Sequence, residues 1–516
     1  MKERKYPIGE QNFPKIREGN YLYVDKTQYI PLLLDQSYYF LSRPRRFGKS
    51  LLLSTLESFF SGRRELFKGL AVEKFEWDWS AYPVIRMDLS EGSFSDPGGL
   101  RSRLTSLLDY KEKEFGLEKV YGQLSDRFTH LIKRLKDKTG KGVVILIDEY
   151  EKPLLDSFKT PFAEEYKNDL RNFYSVLKAN TDSIRFLFIT GVTRFGHLNI
   201  FSGLNNLNDI SIDDRYAAIC GITSEELIEN FSFAIEEFAR EEQTDLDGAL
   251  KLLKDYYDGY HFSKSLIDIY NPFSLLKCLD VNELRSSWFL TGSSSYLLDR
   301  LRENHYDLTE FEGIKASANT LLGEDASIND PVTLLYQSGY LTIKDYDRQR
   351  KRYILGLPNE EVSIALYSAI IPYFLGKRVD PSDKVETFVD FLLKGMPEKA
   401  MNWLQSFFSS IPYDVKLDYE RDFQFVIYGF FALAGLMSNA HLEKQTSNGR
   451  LDMVLSTDRY VYVFEFKLGN DALKAMAQIN SKQYSLQWQT DGRKVFKIGI
   501  AFSAESRGIS DFIIEE

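Results

Sequence analysis

The segment VVILID at residues 143–148 is the feature that most restricts the folds open to this chain. Its apolar residues do not alternate with polar ones, so both faces of the strand must be covered by other elements. A similar segment, SIRFLFITGVTR, occupies residues 183–194, and helical patterns lie between such strands. This alternation of buried strands and helices predicts an α/β fold with a parallel sheet.

Two shorter segments extend the pattern toward the N terminus. SYYFLS at residues 37–42 and VIRMDLS at residues 84–90 are predicted strands, and KSLLLSTLESFF, which follows the first of them, has helical apolar spacing. Residues 1–220 are therefore predicted to form one α/β domain with a parallel sheet.

The pattern becomes mainly helical in the middle of the chain, over residues 221–365. Thr223 followed by Glu226 is a capping-box pattern that predicts the start of an amphipathic helix. Residues 331–362 have the pattern of a helix end, a strand, a charged turn and a second strand, which is typical of a winged helix. Residues 366–400 are predicted to be a helical connection.

The last part of the chain, residues 401–516, is predicted to be a second and smaller α/β domain. Its pattern gives two helices, two strands, a helix and a strand.

Composition excludes several classes of protein. The chain has 516 residues with 65 basic and 75 acidic side chains, a net charge of -10, so contact with nucleic acid requires a local basic groove or bridging metal ions. Two cysteines cannot form a disulfide framework or a four-thiolate zinc site. The longest apolar run, residues 425–437, is shorter than the roughly 20 residues of a membrane span. We expect a cytoplasmic protein that does not bind membranes, and a homo-oligomer is compatible with this composition.

The segment RPRRFGKSLL at residues 43–52 lies between a predicted strand and a predicted helix. A phosphate-binding loop there needs inward backbone N–H groups, a lysine for the β and γ phosphates, and a hydroxyl for Mg²⁺. The match is partial because Arg43 stands where the usual pattern has its first glycine, and a capped helix start with a solvated lysine remains the alternative. The predicted nucleotide-binding residues are Arg46, Gly48, Lys49 and Ser50.

The buried strand described first ends in two adjacent carboxylates, Asp148 and Glu149. This arrangement predicts that Asp148 holds the Mg²⁺ shell and that Glu149 orients the attacking water. Thr190 and Arg194, on and after the neighbouring strand, are placed to contact the γ-phosphate. A buried structural threonine and a structural arginine are equally compatible with the pattern.

These segments, together with NYLYVDKTQYI near the N terminus and YDGYHFS in the middle, resemble a bacterial family of AAA-ATPase-like proteins. Members of that family carry a restriction-endonuclease-like domain of the PD-(D/E)XK type at the C terminus. The resemblance implies ATP as a ligand, accounts for Arg43 as part of the family's own pattern, and implies that residues 23–27 lie near the nucleotide base.

A second group of polar residues lies in NGRLDMVLSTDRYVYVFEFKLG, at residues 448–469. Arg450 and Asp452 are two apart on one predicted strand, and Glu465 and Lys467 are two apart on the next, so each pair projects to one face. Two carboxylates that bind a divalent cation, with a lysine that helps to activate or orient water, are what phosphodiester hydrolysis requires. The alternative is an exposed hairpin with a cross-strand ion pair.

The nuclease superfamily resemblance extends this group to neighbouring helices. Glu420 opens the apolar helix before the hairpin and is a candidate ligand of Mg²⁺ or Mn²⁺, or a group that positions water. Gln478 on the following helix, with Tyr484, completes the pattern of that superfamily as supporting residues.

The predicted function is ATP binding, with ATP hydrolysis, coupled to metal-dependent cleavage of nucleic acid, for which DNA is the expected substrate. A nucleotide-gated switch, in which the nuclease-like domain only binds a partner, is the alternative.

Overall fold

The structure is a computed structural model that describes residues 5–158, 160–193, 200, 204, 206–287, 311–323, 331–374, 382–411, 420–434, 440–446, 449–488, 492–503, 505 and 508–516. Two compact units divide the chain: Met1–Ser287 with Glu312–Pro358, and Trp288–Phe311 with Asn359–Glu516. The domain boundaries given above at residues 220, 365 and 400 stay predictions.

The first unit is built on a parallel sheet, as the apolar segments predicted. Its strands have the order β2-β3-β4-β1-β5, and every residue of β3 is buried. The four strands expected from sequence are present, and β5 is too short to leave a sequence pattern. The strands are β1 (Tyr38–Ser42), β2 (Val84–Asp88), β3 (Val143–Asp148), β4 (Ile184–Gly191) and β5 (Asn208–Asp209).

Helices connect and cover these strands. The apolar residues of β2, β3 and β4 pack against those of the long helices in one core. The helices of this part are α1 (Phe13–Glu18), α2 (Ile30–Leu33), α3 (Lys49–Phe60), α4 (Gly99–Glu114), α5 (Leu124–Thr139), α6 (Lys152–Ser157) and α7 (Ala163–Ala179).

The predicted capping box starts the helical part of the first unit. The Thr223 hydroxyl accepts from the Glu226 N–H at 3.2 Å, and the Glu226 carboxylate accepts from the Thr223 N–H at 2.9 Å. Lys26 also donates to Glu226, at 2.6 Å, so the cap ties the helix to the N-terminal segment. The elements here are β6 (Ile222–Thr223), α8 (Ser224–Glu241), α9 (Leu246–Tyr257), β7 (Ile269–Tyr270) and α10 (Pro272–Val281).

The first unit ends in two helices and a small sheet, and the winged-helix assignment of this part stays a prediction. Its three strands form an antiparallel sheet in the order β8-β10-β9, and β9 and β10 are the predicted hairpin with a charged turn. The strand β8 was not predicted, because three residues are too few to show an apolar period. The elements are β8 (Ile314–Ala316), α11 (Ala318–Leu321), α12 (Pro331–Ser338), β9 (Thr342–Asp347) and β10 (Arg352–Gly356).

The second unit is a mixed sheet with helices. Strands follow the order β11-β12-β13-β14-β15, in which only the β13 and β14 pairing is parallel among the described strands. The elements are α13 (Glu360–Phe374), α14 (Ser382–Leu393), α15 (Pro397–Ser409), α16 (Glu420–Leu433), β11 (Ala440–Thr446), β12 (Gly449–Ser456), β13 (Tyr460–Leu468), α17 (Ala472–Ser481), β14 (Lys494–Ser503) and β15 (Gly508–Glu515).

The mixed α/β architecture of the two units confirms the predicted fold class. Sequence patterns missed β11 and β15, the two edge strands of the second sheet, because β11 is largely polar and the exposure of β15 follows no clean alternation. Within the described ranges, no helix is long and apolar enough to cross a membrane.

Removing the Thr223 hydroxyl tests the capping box. We expect Thr223→Ala to lower the free energy of unfolding of the first unit by about 1 kcal/mol, because the Glu226 N–H loses its acceptor. Ser232→Ala, on the exposed face of the same helix, is the matched control and should leave that energy unchanged or slightly raised. Urea unfolding followed by circular dichroism measures both, and equal midpoints for the two variants would contradict the assignment.

Candidate functional sites

The loop between β1 and α3 has the backbone of an anion site. Gly48, the N-cap of α3, has φ +94°, and Arg46 two residues before it has φ +66°. Alternating left-handed residues turn successive N–H groups toward one side of the loop, and the first turn of α3 adds further N–H groups without helical partners. This end of the helix therefore favours a negatively charged ligand.

Lys49 begins α3 and is folded against the loop. Its ammonium donates to the carbonyls of Arg43 at 2.8 Å and Pro44 at 3.0 Å. Burial lowers the pKa of Lys49, while the nearby carboxylates of Glu149 and Asp148 oppose this shift. The strand end of β3 and the start of α3 are thus brought together, as the sequence predicted, with the half-buried Ser50 next in the chain.

Arg43, which replaces the usual first glycine, is a structural anchor. Its guanidinium donates to the carbonyls of Ser211 at 2.7 Å and Tyr216 at 3.1 Å, and lies 4.2 Å from the ring centroid of Phe262. The side chain is only 1% exposed, so the loop is fixed to segments about 170 residues later in the chain. The sequence predicted no contacts for this residue, which the resemblance accounted for only as part of the family's own pattern.

Arg46 and Tyr23, which were expected to lie near the nucleotide, each contact a side chain of the first unit. Arg46 lies 3.7 Å from the ring centroid of Phe273, so its guanidinium is stacked on an aromatic ring, and its predicted phosphate contact stays a prediction. In the segment 23–27, the Tyr23 hydroxyl lies 3.4 Å from the hydroxyl of Thr55 on α3.

Asp148 and Glu149 occupy the end of β3 and the turn after it. An Asp148 oxygen accepts from the Thr190 hydroxyl at 2.6 Å and from the Glu149 N–H at 3.1 Å. Glu149 has φ +48°, and burial raises the pKa of its carboxyl although Lys49 opposes the shift. Thr190 thus holds Asp148 in place, while Arg194 lies outside the described residues.

A third carboxylate near this turn was missed by the sequence analysis. Glu151 is buried, and its Oε1 accepts from the N–H groups of Val192 at 2.5 Å and Thr193 at 3.4 Å, just after β4. In the part of the chain that the structure describes, its Oε2 has no hydrogen-bond partner, and burial raises the pKa of Glu151 to about 7. The sequence feature that could have identified Glu151 is its position as the third acidic residue in the four residues that begin at the end of the buried strand.

The second site lies on β12 and β13, as the spacing of two predicted. Asp452 on β12 accepts from the Phe466 N–H on β13 at 2.8 Å, which holds its carboxylate against β13 at the residue that separates Glu465 from Lys467 in sequence. The Lys467 ammonium lies 3.1 Å from Glu465 Oε1 and donates to the Phe466 carbonyl at 2.8 Å. Phe464 and Phe466 are fully buried.

The close approach of Asp452, Glu465 and Lys467 shifts the pKa values of Glu465 and Lys467. Burial, followed by the charge of Asp452, raises the pKa of Glu465 to about 7. Burial lowers the pKa of Lys467, but Glu465 and Asp452 outweigh it, and the net shift is upward. Glu465 is 0% exposed, and its Oε2 has no hydrogen-bond partner among the described residues.

The carboxylates of Asp452 and Glu465 fit a divalent cation such as Mg²⁺ or Mn²⁺. Carboxylate oxygens are the ligands that such hard ions prefer, and a cation between Asp452 and Glu465 would relieve their repulsion and satisfy the buried Oε2. In the described part of the chain, no group of three or more His, Cys, Asp or Glu side chains is arranged to hold a metal. The fit therefore rests on this pair.

The supporting residues lie around this pair. Glu420, at the start of α16, accepts from the Leu468 N–H at 3.2 Å, and burial raises its pKa while Lys467 opposes the shift. Gln478 on α17 shares a side-chain hydrogen bond with Tyr484, which lowers the pKa of that hydroxyl against the larger opposite effect of burial. The side chain of Arg450 lies outside the described part of the structure.

Comparison with known proteins gives the same two domains. The family model described as a predicted AAA-ATPase matches residues 7–201, and that of the PD-(D/E)XK nuclease superfamily matches residues 418–512. A solved structure, entitled "Structure of the Aeropyrum Pernix ORC2 protein (ADPNP-ADP complexes)", is 13% identical with a TM-score of 0.28, covering 69% of this chain and 98% of that one. A similarity this low carries no further conclusion.

A relative in Azotobacter chroococcum mcd 1 is similar over its whole length. It is called "Uncharacterized protein in vnfD 5'region" and is 36% identical over 528 residues, which cover 100% of this chain and 99% of the relative. The two domain matches confirm the resemblance drawn from sequence. The chain belongs to the family of AAA-ATPase-like proteins that carry a C-terminal PD-(D/E)XK nuclease superfamily domain.

Proposed function

We propose that this protein binds and hydrolyses ATP and cleaves phosphodiester bonds of nucleic acid with the help of a divalent cation, with DNA as its substrate. The observation that carries the proposal is the carboxylate of Glu465, which is fully buried beside Asp452 and Lys467 and has one oxygen that no described residue contacts by a hydrogen bond. The proposal includes a cytoplasmic location in a bacterium.

The first part of the proposal is the binding of ATP at the loop before α3. The Lys49 ammonium, which donates to two loop carbonyls, is a donor for which phosphate oxygens would compete. Gly48 allows the backbone to approach a phosphate because its φ of +94° is in the left-handed region. The Ser50 hydroxyl and Asp148 would hold Mg²⁺.

The second part is hydrolysis of ATP, with Glu149 as the residue that orients the attacking water. Glu149 follows Asp148 directly in the chain, and its carboxylate is close enough to the Lys49 ammonium for the positive charge to lower its pKa. Burial raises its pKa, which brings a carboxylate closer to the basicity that accepting a proton from water requires. We propose Thr190 and Arg194 as phosphate contacts from the neighbouring strand.

The third part is cleavage of nucleic acid at the second unit. Asp452 and Glu465 would hold the cation, with Glu420 in support, and the bound cation polarises the phosphoryl oxygen and lowers the pKa of water. Lys467, fixed by the carbonyl of Phe466, places a positive charge beside Glu465, where it can orient that water and balance charge. Gln478 and Tyr484 support the helix next to these strands, and Arg450 is proposed as an additional contact.

Burial argues against a purely structural role for this cluster. The Oε1 of Glu465 is paired with Lys467, but the buried Oε2 has no hydrogen-bond donor among the described residues, which destabilises a folded chain. An apolar residue at this position, between Phe464 and Phe466, would pack at no such cost. A switch that only bound a partner would not require this buried acid. The arrangement therefore favours catalysis over the alternative of a binding domain.

Substitution of Lys49 tests the ATP site. Lys49→Ala should weaken ATP binding at least tenfold, because the loop loses its phosphate cation. Lys68→Ala removes an exposed lysine of the same unit and should bind ATP as the wild type does. Calorimetric titration measures both affinities, and an unchanged affinity in Lys49→Ala would remove the basis for this site.

Glu149→Gln tests the step of hydrolysis separately from binding. The amide keeps the size of the side chain but cannot accept a proton, so we expect a fall of about a hundredfold in phosphate release. ATP affinity in the same variant should stay close to that of the wild type and serves as the control. If phosphate release were unchanged, Glu149 would not be the residue that orients water.

The second site is tested by two variants with different expected losses. Asp452→Ala should abolish both Mn²⁺ binding and cleavage, because the cation loses one of two carboxylates. Lys467→Ala should retain Mn²⁺ binding and reduce cleavage by about a hundredfold, because the lysine acts on water.

Asp458→Ala, in the exposed turn between the same two strands, is the matched control and should resemble the wild type in both measurements. Calorimetry with Mn²⁺ and nicking of plasmid DNA measure these properties. Equal nicking by the wild type and Asp452→Ala would show that the nuclease assignment is wrong.

A further inference from the structure

The turn between β9 and β10 concentrates positive charge in an acidic chain. Residues 344–352, KDYDRQRKR, contain five basic and two acidic side chains, whereas the whole chain has a net charge of -10. We call residues 348–352 the wing tip. It contains Arg348, Arg350, Lys351 and Arg352, all exposed, and no acidic residue.

The wing tip has a defined shape. Asp347 Oδ1 accepts from the N–H groups of Gln349 at 3.0 Å and Arg350 at 2.9 Å, which closes the turn. At its base, the rings of Tyr346 and Tyr353 on the paired strands have centroids 4.8 Å apart. The basic side chains therefore project from a hairpin whose backbone is already ordered, which reduces the entropy lost on binding.

Most of this positive charge is not neutralised within the protein. Arg350 lies 3.1 Å from Asp347, but its side chain is 77% exposed. Arg348, Lys351 and Arg352 form no ion pair with any other described residue. An ordered, exposed group of cations in a chain of opposite net charge is complementary to a polyanion.

The helix that precedes the hairpin determines which part of a polyanion can be contacted. In many winged-helix proteins such a helix would be a candidate to enter the DNA groove, but the central residues of α12, Thr333 to Gln337, are buried. Base edges are then out of reach of this helix, and the exposed wing tip can contact phosphates, which carry no sequence information.

We infer that the wing tip is a second nucleic-acid contact, which binds the phosphate backbone of a duplex without recognising its sequence. The inference rests on the proposed function for the choice of a nucleic acid over other polyanions. Arginine supplies several of the contacts because its planar guanidinium can donate two hydrogen bonds to one phosphate. The site is separate from the carboxylates of the second unit and needs no divalent cation.

The test uses the full chain in EDTA, where cleavage is prevented, and a fluorescent DNA duplex whose anisotropy reports binding. The variant Arg348→Ala/Lys351→Ala removes two charges from the wing tip. Lys113→Ala/Lys251→Ala is the matched control, because it removes two exposed lysines that form no ion pair with described residues elsewhere in the first unit. Thermal unfolding of both variants checks that the fold is retained.

At low salt, the affinity of the wing-tip variant for the duplex should be lower than that of the wild type by a factor of about ten or more. The slope of its log affinity against log salt concentration should be less steep by about 2. Two duplexes of unrelated sequence should lose the same factor. The control variant should stay within about twofold of the wild type.

Three results would overturn the inference. They are equal affinities of the wing-tip and control variants for the duplex, a loss confined to one sequence, or a loss of binding to anionic phospholipid vesicles with duplex binding unchanged. Cleavage assays with Mg²⁺ on the same proteins separate the two proposals. If the wild type cleaves DNA but the wing-tip variant binds normally, only the wing-tip inference fails, whereas a wild type that neither binds nor cleaves contradicts both.

Discussion

The buried carboxylate of Glu465 is the constraint on which the second unit's chemistry depends. A side chain of this type at the centre of β13 would destabilise the sheet if it were ionised and unpaired, and its pKa is accordingly raised to about 7. Asp452 adds a second negative charge, and Lys467 contributes one positive charge at 3.1 Å. A divalent cation would complete the neutralisation that the protein leaves partial, and the same ion is what phosphodiester cleavage requires.

Asp148 in the first unit and Glu465 in the second are buried acids with different surroundings. In the first unit, the Asp148 carboxylate is satisfied by the Thr190 hydroxyl and a backbone N–H, so its position is fixed before any ligand arrives. Lys49 is likewise held by loop carbonyls. In the second unit, one oxygen of Glu465 has no hydrogen-bond partner within the described ranges. Asp148 is thus positioned by the protein alone, whereas the proposed cation would complete the surroundings of Glu465.

Much of this could be predicted from sequence, because the decisive signals were local. The unbroken apolar run of β3 predicted a parallel sheet, and the spacing of two between Glu465 and Lys467 predicted that these side chains share a face, with Asp452 on the adjacent strand. Arg43 and Glu151 could not be predicted in the same way. Their partners are backbone groups in segments about 40 to 170 residues away, and no local pattern records such contacts. The short or polar edge strands could not be predicted for a related reason. Their pairing with neighbouring strands determines them, and their own sequences show no regular alternation of apolar and polar residues.

Cleavage of plasmid DNA by the full chain over a titration of Mg²⁺, with and without ATP, is the direct test of an ATP site that regulates a metal-dependent nuclease. The proposed function requires nicking that increases with Mg²⁺, stops in EDTA and changes in rate when ATP is added. Absence of cleavage of both DNA and RNA at every Mg²⁺ and Mn²⁺ concentration, with ATP present, would contradict it and would favour a nucleotide-gated binding protein.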